Sequence, residues 1–285
     1  MLGLELALRG ILEGAPIGIA ALGFALIFRT AKELHFAYGV TIALGGYLTY
    51  TLSSVGLPLP ISGLLAALIC AAGGGVLRYG AYRKLHDHYA VLLFSFGLAI
   101  VLENVLQLLY GAHDITASSD WLNHVVTLVP GTTLSARVIH LLGLVLMVVA
   151  WLVVRWLVIR TRTGLGLTAV VRDAEMAELV GVKAERMKVL AYVVGSGLAG
   201  IAGALTVVSS GVRPSLGFEL LLYGFIATLL AGMAFTQAAL WGLALGVALN
   251  LSAWVLPAQY RTLVVFVLIA AYLVVRMRRM PRFAL

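Results

Sequence analysis

Glu103, Asn104 and Gln107 stand inside the apolar run VLLFSFGLAIVLENVLQLLYG. A carboxylate at the centre of such a run costs ~2.5 to 3.5 kcal/mol on insertion scales, so Glu103 requires water, a partner or a proton. On a helix, Gln107 lies one turn from Glu103 on the same side and Asn104 about 100° round, giving a polar stripe. Two chemistries fit it: lining a path for a polar solute, or hydrogen-bonding helices together. Two other patterns are set aside. Gly195, Gly197 and Gly200 fit G-x-G-x-x-G, but no strand precedes them and the surrounding run is apolar, so a dinucleotide site is not expected. His86 and His88 point apart on a helix and lie beside Arg83 and Lys84, which favours a solvated loop over a metal site. Cys70 is the only cysteine, excluding a disulfide or a thiolate cluster within one chain.

The elements around these residues are membrane spans. Of the 285 residues 62% are hydrophobic and only 11% are charged, which rules out an ordinary soluble enzyme core. Apolar windows fall near residues 9–28, 36–54, 60–79, 90–110, 138–159, 188–210, 218–234, 239–256 and 260–276. The expected fold is therefore an all-α polytopic transmembrane helix bundle of about eight or nine spans, forming one transmembrane unit over residues 1–285. The windows 36–54 and 218–256 are rich in glycine and short connections, which permits broken or re-entrant helices. The opening MLGLELALRGILEG carries two acids and no cationic leader, so it does not resemble a removable signal peptide.

The formal charge of +8 reads as topology rather than nucleic-acid binding. Sixteen of the 20 Lys and Arg residues fall in the connections around Arg29, Arg78 and residues 155–188 and in the tail from Arg276 to Arg282. The positive-inside rule makes those faces cytoplasmic, with the N-terminus outside and the C-terminus inside. The opposite face keeps Arg9, Arg137, Arg213 and Arg261, and residues 111–137 form its longest segment, long enough for a short surface helix or a plain connector. In this frame Glu103 lies roughly 10 Å below the outer edge, with Glu13 and Asn250 similarly shallow. Three polar residues in the outer half suit a solute vestibule better than a proton wire, which needs titratable groups through the full thickness.

On the inner side, residues 160–188 carry a short charged helix between two apolar spans. Asp173 can cap it, Glu175 suits its first turn, and Gly181 can end it. Met176, Ala177, Leu179 and Val180 give it an apolar side, while Arg172, Glu175 and Glu178 keep it soluble. About two turns of helix are marginal alone, so this one needs a surface to lie against: its own bundle, anionic lipid or another protein.

This stretch resembles the cytoplasmic coupling segment of ABC-importer permeases of the branched-chain amino-acid type. The match includes Gly164, Gly166, Asp173, Ala177, Gly181 and Val182, and the run Leu198 to Gly203. Phe36 to Gly39 with Leu44 to Tyr47 is similar to the family's second-span signature. Ser95 to Leu98, ending at Leu109 to Gly111, resembles its fourth span, and Pro214 and Gly217 fall where the family has Pro and Gly. The chain departs from the family at Val40, Thr168 and Gly232 to Gln237, differences that bear on the solute more than on the fold.

The resemblance implies an inner-membrane permease subunit that binds no cofactor itself. It implies two ATPase subunits that use ATP, a second permease subunit and an external solute-binding protein. No G-x-x-x-x-G-K-[ST] loop occurs, in keeping with ATP hydrolysis elsewhere. Arg172, Asp173, Glu175, Ala177, Glu178 and Gly181 are the expected ATPase-coupling residues. Glu13, Gly39, Gly45, Gly46, Glu103, Asn104, Gln107 and Asn250 are the candidates for the path, the glycines because a locally unwound helix exposes carbonyls. A stand-alone secondary transporter or channel is the rival reading.

Overall fold

The computed structural model describes residues 2–85, 87–127 and 135–255, together with 263, 266, 267, 270 and 272. The expected ninth window, 260–276, and the basic tail therefore lie largely outside the described residues. Helices occupy the other eight windows. The first window holds two of them, α1 (Leu2–Glu13) and α2 (Ala15–Ala31), which meet at a 44° bend. Pro16, in the first turn of α2, has no N–H to continue the ladder from α1, so the chain bends there. There follow α3 (Ala37–Ser54), α4 (Leu59–Gly80), α5 (His88–Tyr110), α6 (Asp120–Asn123), α7 (Val138–Arg160), α8 (Arg162–Arg172), α9 (Ala174–Leu179), α10 (Ala184–Ser209), α11 (Leu216–Leu230) and α12 (Phe235–Val255).

Among the described residues five helices are long and apolar enough to cross a membrane singly, and the bent pair α1–α2 makes a sixth. α11 is only 15 residues long, and α3 carries several Thr, Ser, Tyr and Gly residues. Protein rather than lipid surrounds most of both: Tyr38, Tyr47, Leu221 and Ile226 are buried. A helix enclosed by its neighbours does not have to be uniformly apolar.

The centre of the bundle is α10, packed on α2, α3 and α4. Its contacts rest on small residues: a Cβ placed on Gly45 of α3 would stand 2.6 Å from the Cα of Gly200, so the two backbones touch. Gly39 stands as close to Gly217, and Gly18 to Gly242; of the two windows whose composition permits a break, 36–54 is one continuous helix and 218–256 is interrupted between Leu230 and Phe235. α3 runs unbroken through Gly39, Gly45 and Gly46, which pack closely against Gly217, Gly200, Gly203 and Val212. Of the two readings of the 111–137 segment, the structure has the short helix, α6, together with an unexpected antiparallel pair, β1 (Val125–Thr127) with β2 (Ser135–Arg137).

Candidate functional site

The two ends of α10, about 39 Å apart at 1.5 Å per residue over its 26 residues, carry different chemistry. At its start lies the short charged helix. The Asp173 carboxylate accepts from the backbone N–H groups of Glu175 and Met176 at 3.0 and 3.1 Å, capping α9. Gly181 follows at φ +87°, a left-handed turn that glycine makes without strain. Ala177 is buried between Val170 of α8 and Ala184 of α10, fixing α9 to the bundle by one small side chain. Met176, Leu179 and Val180, at 62%, 80% and 77% exposure, point away from it. Arg172, Glu175 and Glu178 are exposed beside them. α9 is thus a capped helix resting on the bundle by one edge, with an apolar face and a charged rim turned outward.

Directly behind α9 is a cluster that sequence reasoning missed. Arg78, in the last turn of α4, places Nη1 3.0 and 2.8 Å from the two oxygens of Glu33, and Nη2 2.7 and 3.0 Å from those of Glu185. The Tyr192 hydroxyl donates to Glu33 at 3.2 Å, and the guanidinium lies over the Tyr192 ring. One cation so joins the end of α2, the end of α4 and the start of α10. Next to it His35 is fully buried, its Nδ1 2.9 Å from the Tyr82 hydroxyl and its Nε2 without a partner. Burial pushes the His35 pKa down to about 3, so its imidazole is neutral. The signal was present in the chain: Arg78 falls within the 60–79 window, and a charge inside an apolar window demands a counter-charge.

At the far end of α10 a cleft of about 530 Å³ opens between α1, α2, α7, α10, α11 and α12. Its polar lining has both signs: Glu13 and Glu219 against Arg137 and Arg213, with His140 and Asn250 between them. Asn250 donates to Glu13 at 3.0 Å, Arg137 to the Ser209 carbonyl at 2.7 Å, and Arg213 to Glu219 at 3.2 Å. Arg213 also lies 3.7 Å from Asp114, and Ile115 bridges Val212, so the 111–137 segment borders this cleft.

The candidate path residues therefore fall in three places. Glu13 and Asn250 meet in the cleft. Gly39, Gly45 and Gly46 are buried in helix contacts. Glu103, Asn104 and Gln107 lie on the outer surface of α5, away from the cleft lining, with Asn104 and Gln107 exposed. Among the described residues no three His, Cys, Asp or Glu side chains are grouped to hold a metal.

The family described as branched-chain amino acid transport system / permease component matches residues 6–273. The chain is 26% identical to the high-affinity branched-chain amino acid transport system permease protein LivH of Escherichia coli, over 95% of this chain and 93% of that protein. It is 28% identical to the permease protein BraD of Pseudomonas aeruginosa, over 96% and 94%. A probable LivH of Methanocaldococcus jannaschii is 23% identical over 90% and 85%. No solved structure matches. A multi-pass helical bundle matched along nearly its whole length in this way belongs to the branched-chain amino acid transport permease family.

Proposed function

We propose that this chain is the transmembrane permease subunit of an ATP-driven ABC importer that takes branched-chain amino acids, or a closely related small polar solute, across the inner membrane. The whole chain acts as one transmembrane unit. It binds no cofactor and supplies the path, while two ATPase subunits consume ATP, a second permease subunit completes the transmembrane part and an external binding protein delivers the solute. The α9 end and the C-terminus face the cytoplasm, in accord with the Lys and Arg distribution.

The observation that carries this reading is the outward face of α9. Met176, Leu179 and Val180 are apolar and exposed on a helix held beside the bundle, and such a face fits a groove on another protein. Movement of α9 by an ATPase reaches α10 through Ala177 and Ala184, and α10 is bound to α2 and α4 through Arg78. The mixed-charge cleft at the opposite end supports a vestibule, since an amino acid offers a carboxylate to Arg137 or Arg213 and an ammonium to Glu13 or Glu219.

Met176→Glu combined with Leu179→Glu keeps α9 soluble and removes its apolar face. Solute uptake by the reconstituted complex is expected to fall at least about tenfold, with the chain still inserted in the membrane, the loss corresponding to a coupling energy of 1.4 kcal/mol or more. Undiminished uptake would reject this coupling role of α9, and gradient-driven uptake by the purified chain alone would replace this reading with a stand-alone transporter.

A further inference from the structure

Arg29, in the last turn of α2, and Arg155, near the end of α7, are both tied to the start of α12. The Arg29 guanidinium lies over the Phe235 ring, 5.7 Å from its centroid, and the Arg155 guanidinium lies over the Trp151 ring at 5.1 Å. The Trp151 indole N–H in turn donates to the Thr236 carbonyl at 2.8 Å. Stacking of this kind holds a guanidinium by its flat face and leaves its N–H groups free to donate.

Nothing in the chain claims those donors for a carboxylate. α2, α7 and α12 contain no Asp or Glu, and Glu33, the acid nearest to Arg29 in sequence, is held by Arg78. Among the described residues neither arginine forms an ion pair. Below them the surface turns apolar. Val148 lies one turn before Trp151 on α7, and Leu240 one turn after Thr236 on α12, so both flank the same helix contact on the side away from α9. They are 44% and 59% exposed. Trp156, next to Arg155 and 61% exposed, is a residue type that settles at the level of lipid headgroups.

We propose that the seam between α7 and α12 binds an anionic phospholipid of the leaflet on the α9 side, with its phosphate on Arg29 and Arg155 and an acyl chain along Val148 and Leu240. Guanidinium forks match phosphate oxygens two at a time, and basic pockets between membrane helices suit anionic headgroups. A free anion would use the arginines and leave the apolar strip bare, whereas a phospholipid covers both. The site needs only this chain and a bilayer, so it stands independently of whether ATPase subunits drive transport.

Native mass spectrometry of the full-length chain in detergent tests it, with phosphatidylglycerol and phosphatidylcholine of identical acyl chains supplied in equal amounts. Phosphatidylglycerol is expected to be retained in preference, and Arg29→Gln combined with Arg155→Gln is expected to lower that preference roughly 25-fold, about fivefold for each arginine. Since Arg29 is half-buried and Arg155 exposed, Arg155→Gln alone, which leaves the fold undisturbed, is expected to show its own fivefold loss. Arg160→Gln combined with Arg162→Gln removes the same charge from exposed positions at the α7–α8 junction and is expected to leave the preference intact. Excess inorganic phosphate is expected not to displace the lipid. Equal retention of the two lipids, an unchanged preference in Arg155→Gln, an equal loss from the Arg160 and Arg162 pair, or displacement by inorganic phosphate would overturn the proposal.

Discussion

Arg78 is the most consequential single residue at the α9 end. With a side chain 3% exposed beside Glu33 at 7%, it is a buried cation whose removal strands a buried carboxylate. Arg78→Met is expected to destabilise the protein by about 3 to 5 kcal/mol, read as a lowered melting temperature in detergent, and Glu33→Gln in the same chain is expected to recover part of the loss. His35, packed with Tyr38, Tyr82 and Tyr192, adds a pH dependence. Its folded pKa of about 3 lies below the 6.5 of an ordinary histidine, so between these values the unfolded chain binds a proton that the folded chain refuses. Stability is therefore complete above pH 6.5 and falls by about 1.4 kcal/mol per unit as the pH drops through that window. His35→Gln is expected to flatten this slope in melting curves taken from pH 7 to pH 5. The need for a counter-charge to Arg78 is legible in the chain, but its partners are not, because Glu33 and Glu185 stand 45 and 107 residues away and meet it only after folding.

Among the elements, α9 was readable almost residue by residue. A cap, a first-turn acid and a terminal glycine are local signals, and the structure puts each in its expected role. Asp173→Ala removes the acceptor for two N–H groups and is expected to cost the helix about 1 kcal/mol, seen as faster amide exchange over residues 174–179. α8, directly before it, was not expected as a helix, since its Gly164 and Gly166 weaken the local signal while tertiary packing holds it. The motifs that carried the family resemblance prove to be places where helices touch. Gly39 meets Gly217, Gly45 meets Gly200, Gly46 meets Gly203, and Phe36 stacks edge-on with Phe96. That explains why the sequence expectation of unwound helix at these glycines differs from the structure: glycine in an apolar helix has two uses, and which applies depends on a neighbour that one window does not contain. Gly45→Leu is expected to force α3 off α10 at a cost of about 1 to 3 kcal/mol or more, measured as reduced yield of monodisperse protein.

Across the whole molecule, the charge bias and the tertiary contacts agree on which connections share an end. Glu33, Arg78 and Glu185 join the connections after α2, after α4 and before α10 at one end. Asp114, Arg137, Ser209 and Arg213 join those after α5, before α7 and after α10 at the other. The positive-inside rule uses only residue counts and the contacts use only geometry, so their agreement is not circular. The orientation proposed from charge adds what geometry cannot give, and it predicts from which side each segment is accessible. With Cys70 buried, single cysteines replacing Leu179 on α9 and Trp121 on α6, both exposed, report the two sides separately. A membrane-impermeant maleimide is expected to label the Trp121 position in intact cells and the Leu179 position only after the membrane is opened. Labelling in the reverse order would invert the bundle and put α9 beyond the reach of any cytoplasmic ATPase, whereas labelling of both positions from one side would contradict the separation set by the length of α10.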